Sequence, residues 1–293
     1  MSLNNTPEIK HGQQKHSPEQ SESKREVISS GNGKEPPLKN RQVLHKTPLS
    51  SLDNIAIMLD VDGTLLDIAP TPREVIVPPD LPHTLAHVRD RLGGALAVVS
   101  GRPIAEIDEF FAPLRFVAIG GHGAEMRPVA DGVTMSGRAA PLNPMFRQRL
   151  KDIAATHPGV LVEDKGYSIA LHYRQVPKQG LALVHDVKHA YQAWADESFE
   201  LLSGKAVIEV KYAAFNKGSA VRDLMTYPPF KGRAPIFVGD DRTDEDAFKV
   251  VPEFYGQAMS VGRKLPGIDK VFDGPSDVRR WLRLMAEAVA VSQ

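Results

Sequence analysis

The sequence predicts an α/β protein with a doubly wound, mostly parallel sheet and an inserted α+β domain. From residue 52 onward, short apolar runs alternate with helical patterns, which is typical of a parallel sheet flanked by helices. Between residues 141 and 212 the order becomes helix, two strands, helix, two strands, which favours an antiparallel sheet with helices on one face. A chain of 293 residues is long enough for both parts.

We expect four segments along the chain. They are a disordered tail at 1–50, a first core segment at 51–140, the inserted domain at 141–212 and a second core segment at 213–293. The tail is polar and shows no sustained hydrophobic period, so it cannot bury enough apolar surface to offset the entropy of ordering it. It could contact a partner, or it could be a dispensable extension.

The first core segment opens with two strands and a helix. Asn54–Leu59 is an apolar run that predicts a buried parallel strand. A helix is predicted over Leu81–Leu92, because Pro78-Pro79-Asp80 is a start signal and Gly93-Gly94 is a stop signal. Ala95–Val99 predicts the second strand.

The later elements follow from the same patterns. Pro103 suits the first turn of a helix, and Phe116–Gly120 is a third apolar strand. The inserted domain and the second core segment then contain, in order, a helix at Met145–Thr156, a strand hairpin at Val160–Tyr173, a helix at Gly180–Asp196, a strand pair at Phe199–Tyr212, a helix at Asn216–Thr226, a strand at Ala234–Val238 and a helix at Ser276–Ala290.

Composition excludes several classes of function. The chain has no cysteine, which excludes disulfides, thiolate nucleophiles and Cys-ligated zinc. Its formal net charge of zero gives no electrostatic reason to expect nucleic acid or an anionic membrane as a partner. We find neither an apolar stretch long enough to span a bilayer nor a secretory signal pattern, and therefore expect a soluble cytoplasmic protein.

Two carboxylates follow the first predicted strand, in the sequence Asp60-Val61-Asp62-Gly63-Thr64. The C-terminal ends of parallel strands form the crevice in which open α/β sheets bind ligands. Gly63 lets the chain turn and leaves backbone N–H groups free to face an anion. One carboxylate could then act as nucleophile or metal ligand while the other handles protons. An ordinary Asp-Gly turn would fit this segment too, so the rest of the chain must decide.

Further polar side chains fall at equivalent places, beyond other strands or at a helix start. Ser100 follows the second strand, although it could simply be the N-cap of the next helix. Lys217 lies in the first turn of a helix, where a cation opposes the macrodipole, and this predicts an anionic partner. In a doubly wound sheet both residues converge on the crevice beside Asp60.

A second acidic pair, Asp240-Asp241, follows the Ala234–Val238 strand. An acidic first helical turn explains the nearby Asp244-Glu245-Asp246, but it does not explain two carboxylates at the strand end. Facing Asp60 and Asp62, this pair would create strong repulsion unless a cation lies among the four carboxylates. Hard oxygen ligands without thiolate or imidazole indicate Mg²⁺. Carboxylates, a hydroxyl, a lysine and Mg²⁺ are equipment for phosphoryl transfer.

These positions resemble the haloacid dehalogenase superfamily of phosphatases, whose pattern is Asp-x-Asp-x-Thr, then Ser or Thr, then Lys, then an acidic pair. The insertion resembles the C2-type cap of that superfamily. Several stretches are similar to the trehalose-6-phosphate phosphatases, and the similarity spans roughly residues 50–290. They are Val99–Arg102, Gly121–Glu125, Val162–Lys165, Ala170–Arg174, Val207–Lys211 and Gly239–Phe248.

The resemblance implies a role for each catalytic position. Asp60 would attack the phosphorus of trehalose 6-phosphate, and Asp62 would protonate the leaving sugar and later activate water. Ser100 and Lys217 would hold phosphate oxygens. Mg²⁺ would be held by the Asp60 carboxylate, the Asp62 main-chain carbonyl and Asp240. Asp241 would be a further ligand or would orient one, and Asp244 would act as a support.

Selectivity for the sugar should reside mainly in the cap, where alternating strand residues share a face. Charged pairs on one face suit the many hydroxyls of a disaccharide, although each could equally be a solvated residue. The candidate substrate-binding residues are Gly101, Arg102, His122 and Glu125 from the core and Glu163, Lys165, His172, Arg174, Glu209 and Lys211 from the cap. Closure of the cap would exclude water.

Three other functions remain open at this point. The same chemistry could act on another phosphosugar, either as a phosphatase or as a mutase that keeps the phosphoryl group. A signalling receiver domain also uses an Asp and a Lys, but it needs neither the second carboxylate of Asp60-x-Asp62 nor the insertion. A catalytically silent partner in a trehalose-synthesising complex, docked through the tail, is the third.

Overall fold

The computed structural model describes residues 49–71, 74–194, 198–204, 206–268 and 270–287. Residues 1–48, which make up nearly all of the predicted tail, lie outside the described residues. Leu49–Asn54, at the end of that tail, form a short 3-10 helix. No helix among the described residues is long and apolar enough to cross a membrane.

The larger sheet of the described chain has seven strands. They are β1 Ile55–Leu59, β2 Leu96–Val99, β3 Val117–Gly120, β4 Glu125–Arg127, β9 Ala234–Gly239, β10 Gln257–Val261 and β11 Lys270–Phe272. Their order in the sheet is β11-β10-β9-β1-β2-β3-β4, and all neighbours are parallel except β3 and β4.

The centre of this sheet is buried on both sides, which is why its strands read as continuous apolar runs. Every residue of β1 and of β2 is buried. Successive strands are added on one side from β1 to β3 and on the other side from β9 to β11, so the strand order reverses at β1. In a doubly wound sheet this reversal opens a crevice at the carboxyl ends of the strands. The predicted fold class is confirmed.

The helices of the core agree closely with the sequence patterns. They are α1 Leu81–Arg91, α2 Ile104–Phe111, α5 Lys217–Leu224, α6 Asp244–Val250 and α7 Pro275–Glu287. Helix α5 begins with a capping box, in which Asn216 and Ser219 satisfy each other's backbone N–H groups. This cap fixes Lys217 as the first residue of the helix.

The smaller sheet has the strands β5 Leu161–Asp164, β6 Ser168–His172, β7 Phe199–Gly204 and β8 Val207–Tyr212, and its helices are α3 Pro144–Ala155 and α4 Gly180–Gln192. It is antiparallel, with the strand order β5-β6-β8-β7. The helix, two strands, helix, two strands order predicted from the sequence is confirmed, and the exact domain boundaries stay a prediction.

A separate apolar core holds this smaller sheet against its helices. Phe146 stacks on Trp194 at 5.3 Å and on Phe199 at 4.8 Å between ring centroids. Ile169 and Leu171 of β6 point into the same core. Because side chains alternate along a strand, the residues between them face the other side of the sheet, toward the crevice.

Three short strands were not expected from the sequence. β4 adds an antiparallel edge after β3, and β10 and β11 extend the sheet beyond β9. Each is only three to five residues long. Strands this short and partly polar give no periodic signal, and their pairing depends on neighbours that are distant in sequence.

Candidate active site

The carboxyl ends of three adjacent strands place the first site residues. Asp60 follows β1, Ser100 follows β2 and Asp240 follows β9, and all three side chains are buried. They lie in one cavity between the large sheet and the polar face of the small sheet. The predicted site residues that line it are Asp60, Asp62, Ser100, Gly101, Arg102, His122, Glu163, Lys165, His172, Arg174, Glu209, Lys217, Asp240 and Asp241.

Lys217 joins two carboxylates at the floor of the cavity. Its Nζ donates to Asp60 Oδ1 and to Asp244 Oδ1, each at 2.6 Å. Burial by itself lowers the pKa of Lys217, but Asp244 and Asp60 outweigh it, so the pKa of this lysine is raised. Lys217 is therefore a fixed positive charge, and the anionic partners predicted for it are these two carboxylates.

Asp60 experiences the opposite balance. Burial raises the pKa of Asp60, repulsion from Asp244 and Asp240 raises it further, and Lys217 offsets only part of this. The Asp60 carboxylate is thus in an environment short of positive charge. A group in that condition gains from any further cation placed beside it.

Three carboxylates are close enough to share a metal ion. One oxygen each from Asp60, Asp240 and Asp244 lie within 4.8 Å of one another, and all three residues are buried. Gly63 allows this approach: it has φ +83°, and a Cβ there would lie 2.3 Å from Asp240 Oδ2. The donors are hard carboxylate oxygens, so the site fits a divalent cation that prefers oxygen ligands.

Asp244 is closer to this cluster than the sequence suggested. Its Oδ2 accepts from the main-chain N of Asp241 at 2.9 Å while its Oδ1 binds Lys217. A β-carbon on Gly239 would lie 2.3 Å from the Asp244 carboxyl carbon, so the strand end is shaped around this side chain. An acidic first helical turn is common, so the residue pattern gave no signal separating Asp244 from its neighbours, and only the resemblance indicated a supporting role.

Asp62 forms a bidentate ion pair with Arg102 and is not one of the three clustered carboxylates. Arg102 donates from Nε to Asp62 Oδ2 at 2.6 Å and from Nη2 to Asp62 Oδ1 at 2.8 Å. Its Nη1 donates to Glu106 at 2.9 Å, and its guanidinium lies 4.8 Å from the Phe110 ring centroid. The side chain of Asp62 consequently lies at the wall of the cavity, poised beside the cluster and not within it.

Ser100 does not cap the following helix. Helix α2 has Pro103 at its N-cap position, with no side-chain cap. The Ser100 hydroxyl instead accepts from the main-chain N of Arg102 at 3.1 Å. The capping alternative is therefore wrong, and the hydroxyl faces the cavity beside Asp60.

The facing sheet presents a connected set of charged side chains. Glu163 accepts from His172 at 2.9 Å and lies 3.5 Å from the ammonium of Lys165. Burial raises the pKa of Glu163, yet His172 and Lys165 lower it overall. Glu163 lies on β5, Lys165 follows the end of that strand two positions later, and His172 ends β6; all three line the cavity.

Glu209 is a buried member of that set. Its Oε1 accepts from Ser168 at 2.6 Å and its Oε2 pairs with His122 Nε2 at 3.1 Å. Burial raises the pKa of Glu209, but Lys165 and His122 bring it well below its ordinary value. Since His122 follows β3 and Glu209 lies on β8, this pair links the two sheets directly.

Two more contacts link the sheets across the cavity. Lys165 Nζ donates to the main-chain O of Gly101 at 3.0 Å. Arg174 donates to the main-chain O of Ala69. The loop around Ala69 also supplies an apolar wall that sequence reasoning missed, because these residues carry no periodic or charged pattern: Ile68, Pro70 and Val75.

Two predicted binding residues do not line the cavity. The Glu125 carboxylate accepts from the main-chain N of Ile104 at 2.7 Å, at the start of helix α2. Lys211 donates to Glu200 at 2.7 Å and to the main-chain O of Phe215, so it braces the crossover that leads to Lys217. The strand pair that carries Lys211 was predicted, whereas the short strand that carries Glu125 was not, and the part of both residues in binding stays a prediction.

Comparison with known proteins gives a consistent result. The family model described as Trehalose-phosphatase matches residues 58–266. A probable trehalose-phosphate phosphatase of Sinorhizobium fredii is 41% identical over 228 residues, covering 78% of this chain and 85% of the relative. The trehalose-6-phosphate phosphatase of Escherichia coli is 35% identical over 234 residues, covering 80% and 87%.

Solved structures agree on the fold. The C-terminal domain of Candida albicans trehalose-6-phosphate phosphatase superposes with a TM-score of 0.73 at 23% identity, covering 88% of this chain and 100% of that one. A phosphatase of the haloalkanoate (HAD) superfamily from Bacteroides thetaiotaomicron superposes with a TM-score of 0.52 at 17% identity, covering 82% and 97%. The expected superfamily fold is confirmed.

Proposed function

The chain belongs to the trehalose-phosphatase family, and on that premise we propose that it hydrolyses trehalose 6-phosphate to trehalose and phosphate. It is a phosphoric monoester hydrolase, and its reaction belongs to trehalose biosynthesis. The observation that carries the proposal is the buried Asp60, paired with Lys217 at 2.6 Å beneath a cavity whose opposite wall is charged.

In the proposed mechanism Asp60 is the nucleophile. A carboxylate oxygen of Asp60 attacks phosphorus, the bond from phosphorus to the sugar oxygen breaks, and an aspartyl phosphate forms. Asp62 gives its proton to the departing sugar oxygen and then takes a proton from the water that hydrolyses this intermediate. Ser100 and Lys217 hold phosphate oxygens, and Asp62, whose two oxygens each accept one bond from Arg102, has a lone pair left on each oxygen for the proton.

We propose that Mg²⁺ binds to the acidic cluster, which consists of Asp60, Asp240 and Asp244. Asp60 and Asp240 would hold it with their carboxylates and Asp62 with its main-chain carbonyl, while Asp241 and Asp244 orient these ligands or join them. When bound, Mg²⁺ neutralises charge on the phosphoryl group. The hard, buried oxygen donors and the raised pKa of Asp60 support this choice.

The charged face of the small sheet would bind the sugar. Glu163, Lys165 and Glu209 offer carboxylate and ammonium groups within one cavity, a set that suits hydroxyl recognition. We propose that this sheet acts as a cap whose closure excludes water until Asp60 is phosphorylated. A contact through the tail and a cytoplasmic location stay predictions.

The test is phosphate release from trehalose 6-phosphate, compared with glucose 6-phosphate and sucrose 6-phosphate, with Mg²⁺ and with EDTA. We expect release that requires the metal, prefers trehalose 6-phosphate and falls by more than about a thousandfold in Asp60→Asn. Asp90→Asn is the matched control, because Asp90 is an exposed residue of α1 that pairs only with its neighbour Arg89 among the contacts described.

Each other outcome points elsewhere. Preference for another sugar phosphate would keep the chemistry and overturn the sugar assignment. Transfer of phosphate within the sugar, without release, would indicate a mutase. No turnover of any of these sugar phosphates would favour a receiver-like module or a silent partner.

A further inference from the structure

Arg263, which does not line the cavity, binds the main chain of the acidic turn, residues 240–243 between β9 and α6. Its Nε donates to the main-chain O of Asp240 at 2.7 Å, and its Nη2 donates to the main-chain O of Asp241 at 2.5 Å. Its Nη1 donates to Glu245 Oε1 at 2.9 Å. Two nitrogens of the guanidinium therefore bind the segment that connects β9 to α6, and the third binds the first turn of α6.

The local sequence is built to present this side chain. Gly262 takes φ +70° just after β10 and so turns the chain sharply. The hydroxyl of the buried Ser260 donates to the main-chain O of Arg263 at 2.7 Å, and Gly262 N donates to Phe272 O at 2.8 Å. The base of the arginine is thereby fixed from two sides.

The acidic turn needs such a brace. β9 ends at Gly239 and α6 begins at Asp244, so Asp240 and Asp241 belong to the turn between them, where Asp241 O also accepts from Asp244 N at 3.2 Å. Charge-assisted bonds from Arg263 to both carbonyl oxygens fix the direction of the peptide planes. With its carbonyl held on one side, Asp240 keeps its carboxylate among Asp60 and Asp244.

We propose that Arg263 is a positioning residue that preorganises the acidic cluster for the metal, an inference that rests on the Mg²⁺ site of the proposed function. A competing role for Arg263 predicts the opposite effect on metal affinity. If Arg263 acted only through its charge, it would repel a cation, and its removal would strengthen metal binding. If it acts by ordering the turn, its removal weakens metal binding, because the cation must then order the turn itself.

The experiment titrates Mn²⁺, a paramagnetic substitute for Mg²⁺, into the full metal-free chain and counts bound metal by electron paramagnetic resonance. We expect Arg263→Gln to weaken Mn²⁺ binding about tenfold, as partners of metal ligands generally do. Arg263→Lys keeps the charge but loses the planar guanidinium, so its affinity for Mn²⁺ should lie between those of the wild type and Arg263→Gln. In phosphate-release assays the Mg²⁺ needed for half-maximal rate should rise similarly, while kcat at saturating Mg²⁺ stays within about twofold.

Arg233 is the matched control. It too donates to two main-chain carbonyls, Leu92 O at 2.7 Å and Ile55 O at 3.1 Å. Ile55 is the first residue of β1, so this contact lies at the amino ends of the strands, away from the acidic turn. Arg233→Gln should leave Mn²⁺ affinity unchanged.

Unchanged or tighter binding in Arg263→Gln, or equal weakening in Arg233→Gln, overturns the proposal. If Arg263→Gln does not fold, Arg263→Lys decides on the same criteria. A wild-type chain that binds no Mn²⁺ overturns this inference and the metal site together, whereas the phosphatase reaction is judged separately by phosphate release.

Discussion

Lys217 is the residue that makes the acidic cluster compatible with a folded protein. It is 2% exposed and is the lysine that contacts both Asp60 and Asp244. A cation in the first turn of a helix opposes the macrodipole, and here two carboxylates at 2.6 Å compensate for that position. Removing the lysine leaves buried negative charge without its partner, which is far more costly than losing an exposed ion pair.

We expect Lys217→Met to lower the free energy of unfolding by about 3 kcal/mol in EDTA, since it leaves a buried ion pair broken. Added Mg²⁺ should raise the melting temperature of this variant more than that of the wild type, because the ion replaces the missing charge. Denaturant and thermal unfolding with EDTA and with Mg²⁺ measure both effects.

Lys249→Met serves as the control for this change, since Lys249 is largely exposed and pairs with Asp246 on α6. It should change neither quantity measurably. A Mg²⁺ effect on Lys217→Met no larger than that on the wild type would contradict the assignment of Lys217 as the compensating charge.

Sequence reasoning reached the polar residues at strand ends but not their partners. Asp60, Ser100 and Asp240 could be placed because a parallel sheet brings its carboxyl ends together. The bond between Arg102 and Asp62 spans 40 positions, and that between Arg263 and Asp240 spans 23. Such contacts depend on the packing of separate elements, which no local pattern encodes.

At the scale of elements, Asp164 joins strand β5 to helix α3. Arg147 donates to its carboxylate at 2.8 Å, Lys151 lies at 2.6 Å, and Gly166 N donates at 3.0 Å. Burial opposes the charged form, but these partners lower the pKa of Asp164 to about 2 from the ordinary value of 3.8. A carboxylate whose pKa is lowered by folding stabilises the fold above its unfolded pKa.

We therefore expect the stability difference between the wild type and Asp164→Asn to depend on pH in a definite direction. It should be constant above about pH 5, on the order of 1 kcal/mol because the partners are partly exposed, and fall steadily toward pH 2, where the folded-state carboxyl is half protonated. Urea unfolding from pH 2 to 7 measures it. Asp152→Asn on the outer face of α3, where Asp152 accepts from Gln148, is the control, and a difference that grows as the pH falls would contradict the expectation.

Element prediction succeeded where burial is uniform and failed where pairing is remote. β1 and β2 were predicted within one residue of their bounds because every residue in them is buried. β11 has only three residues and gains its place by pairing with β10. Alternation put Lys211 on the correct face of β8, but its position near the crossover, which decides its partners, cannot be read from a period of two.

At the scale of the molecule, two sheets of different kind enclose one cavity. The large sheet supplies the acidic cluster with Lys217, and the small sheet supplies Glu163, Lys165 and Glu209. The ties between them are polar, as in the pairing of Glu209 with His122 and of Lys165 with Gly101 O. This division separates the groups proposed for the reaction at phosphorus from those proposed for the sugar.

That separation predicts that Glu209→Gln changes selectivity more than chemistry. The amide keeps the shape of the Glu209 side chain and can still accept from Ser168. It loses the charge-assisted bonds with His122 and Lys165 that hold the end of this side chain in the part of the cavity proposed to bind the sugar. We expect kcat/KM for trehalose 6-phosphate to fall about a hundredfold, whereas kcat/KM for p-nitrophenyl phosphate, which has no sugar, changes by less than about threefold. Glu253→Gln, a change at an exposed residue that pairs with Arg222 outside the cavity, should affect neither substrate. An equal loss on both substrates, with unchanged thermal unfolding, would mean that Glu209 acts on the reacting groups and that the two sheets do not divide the work in this way.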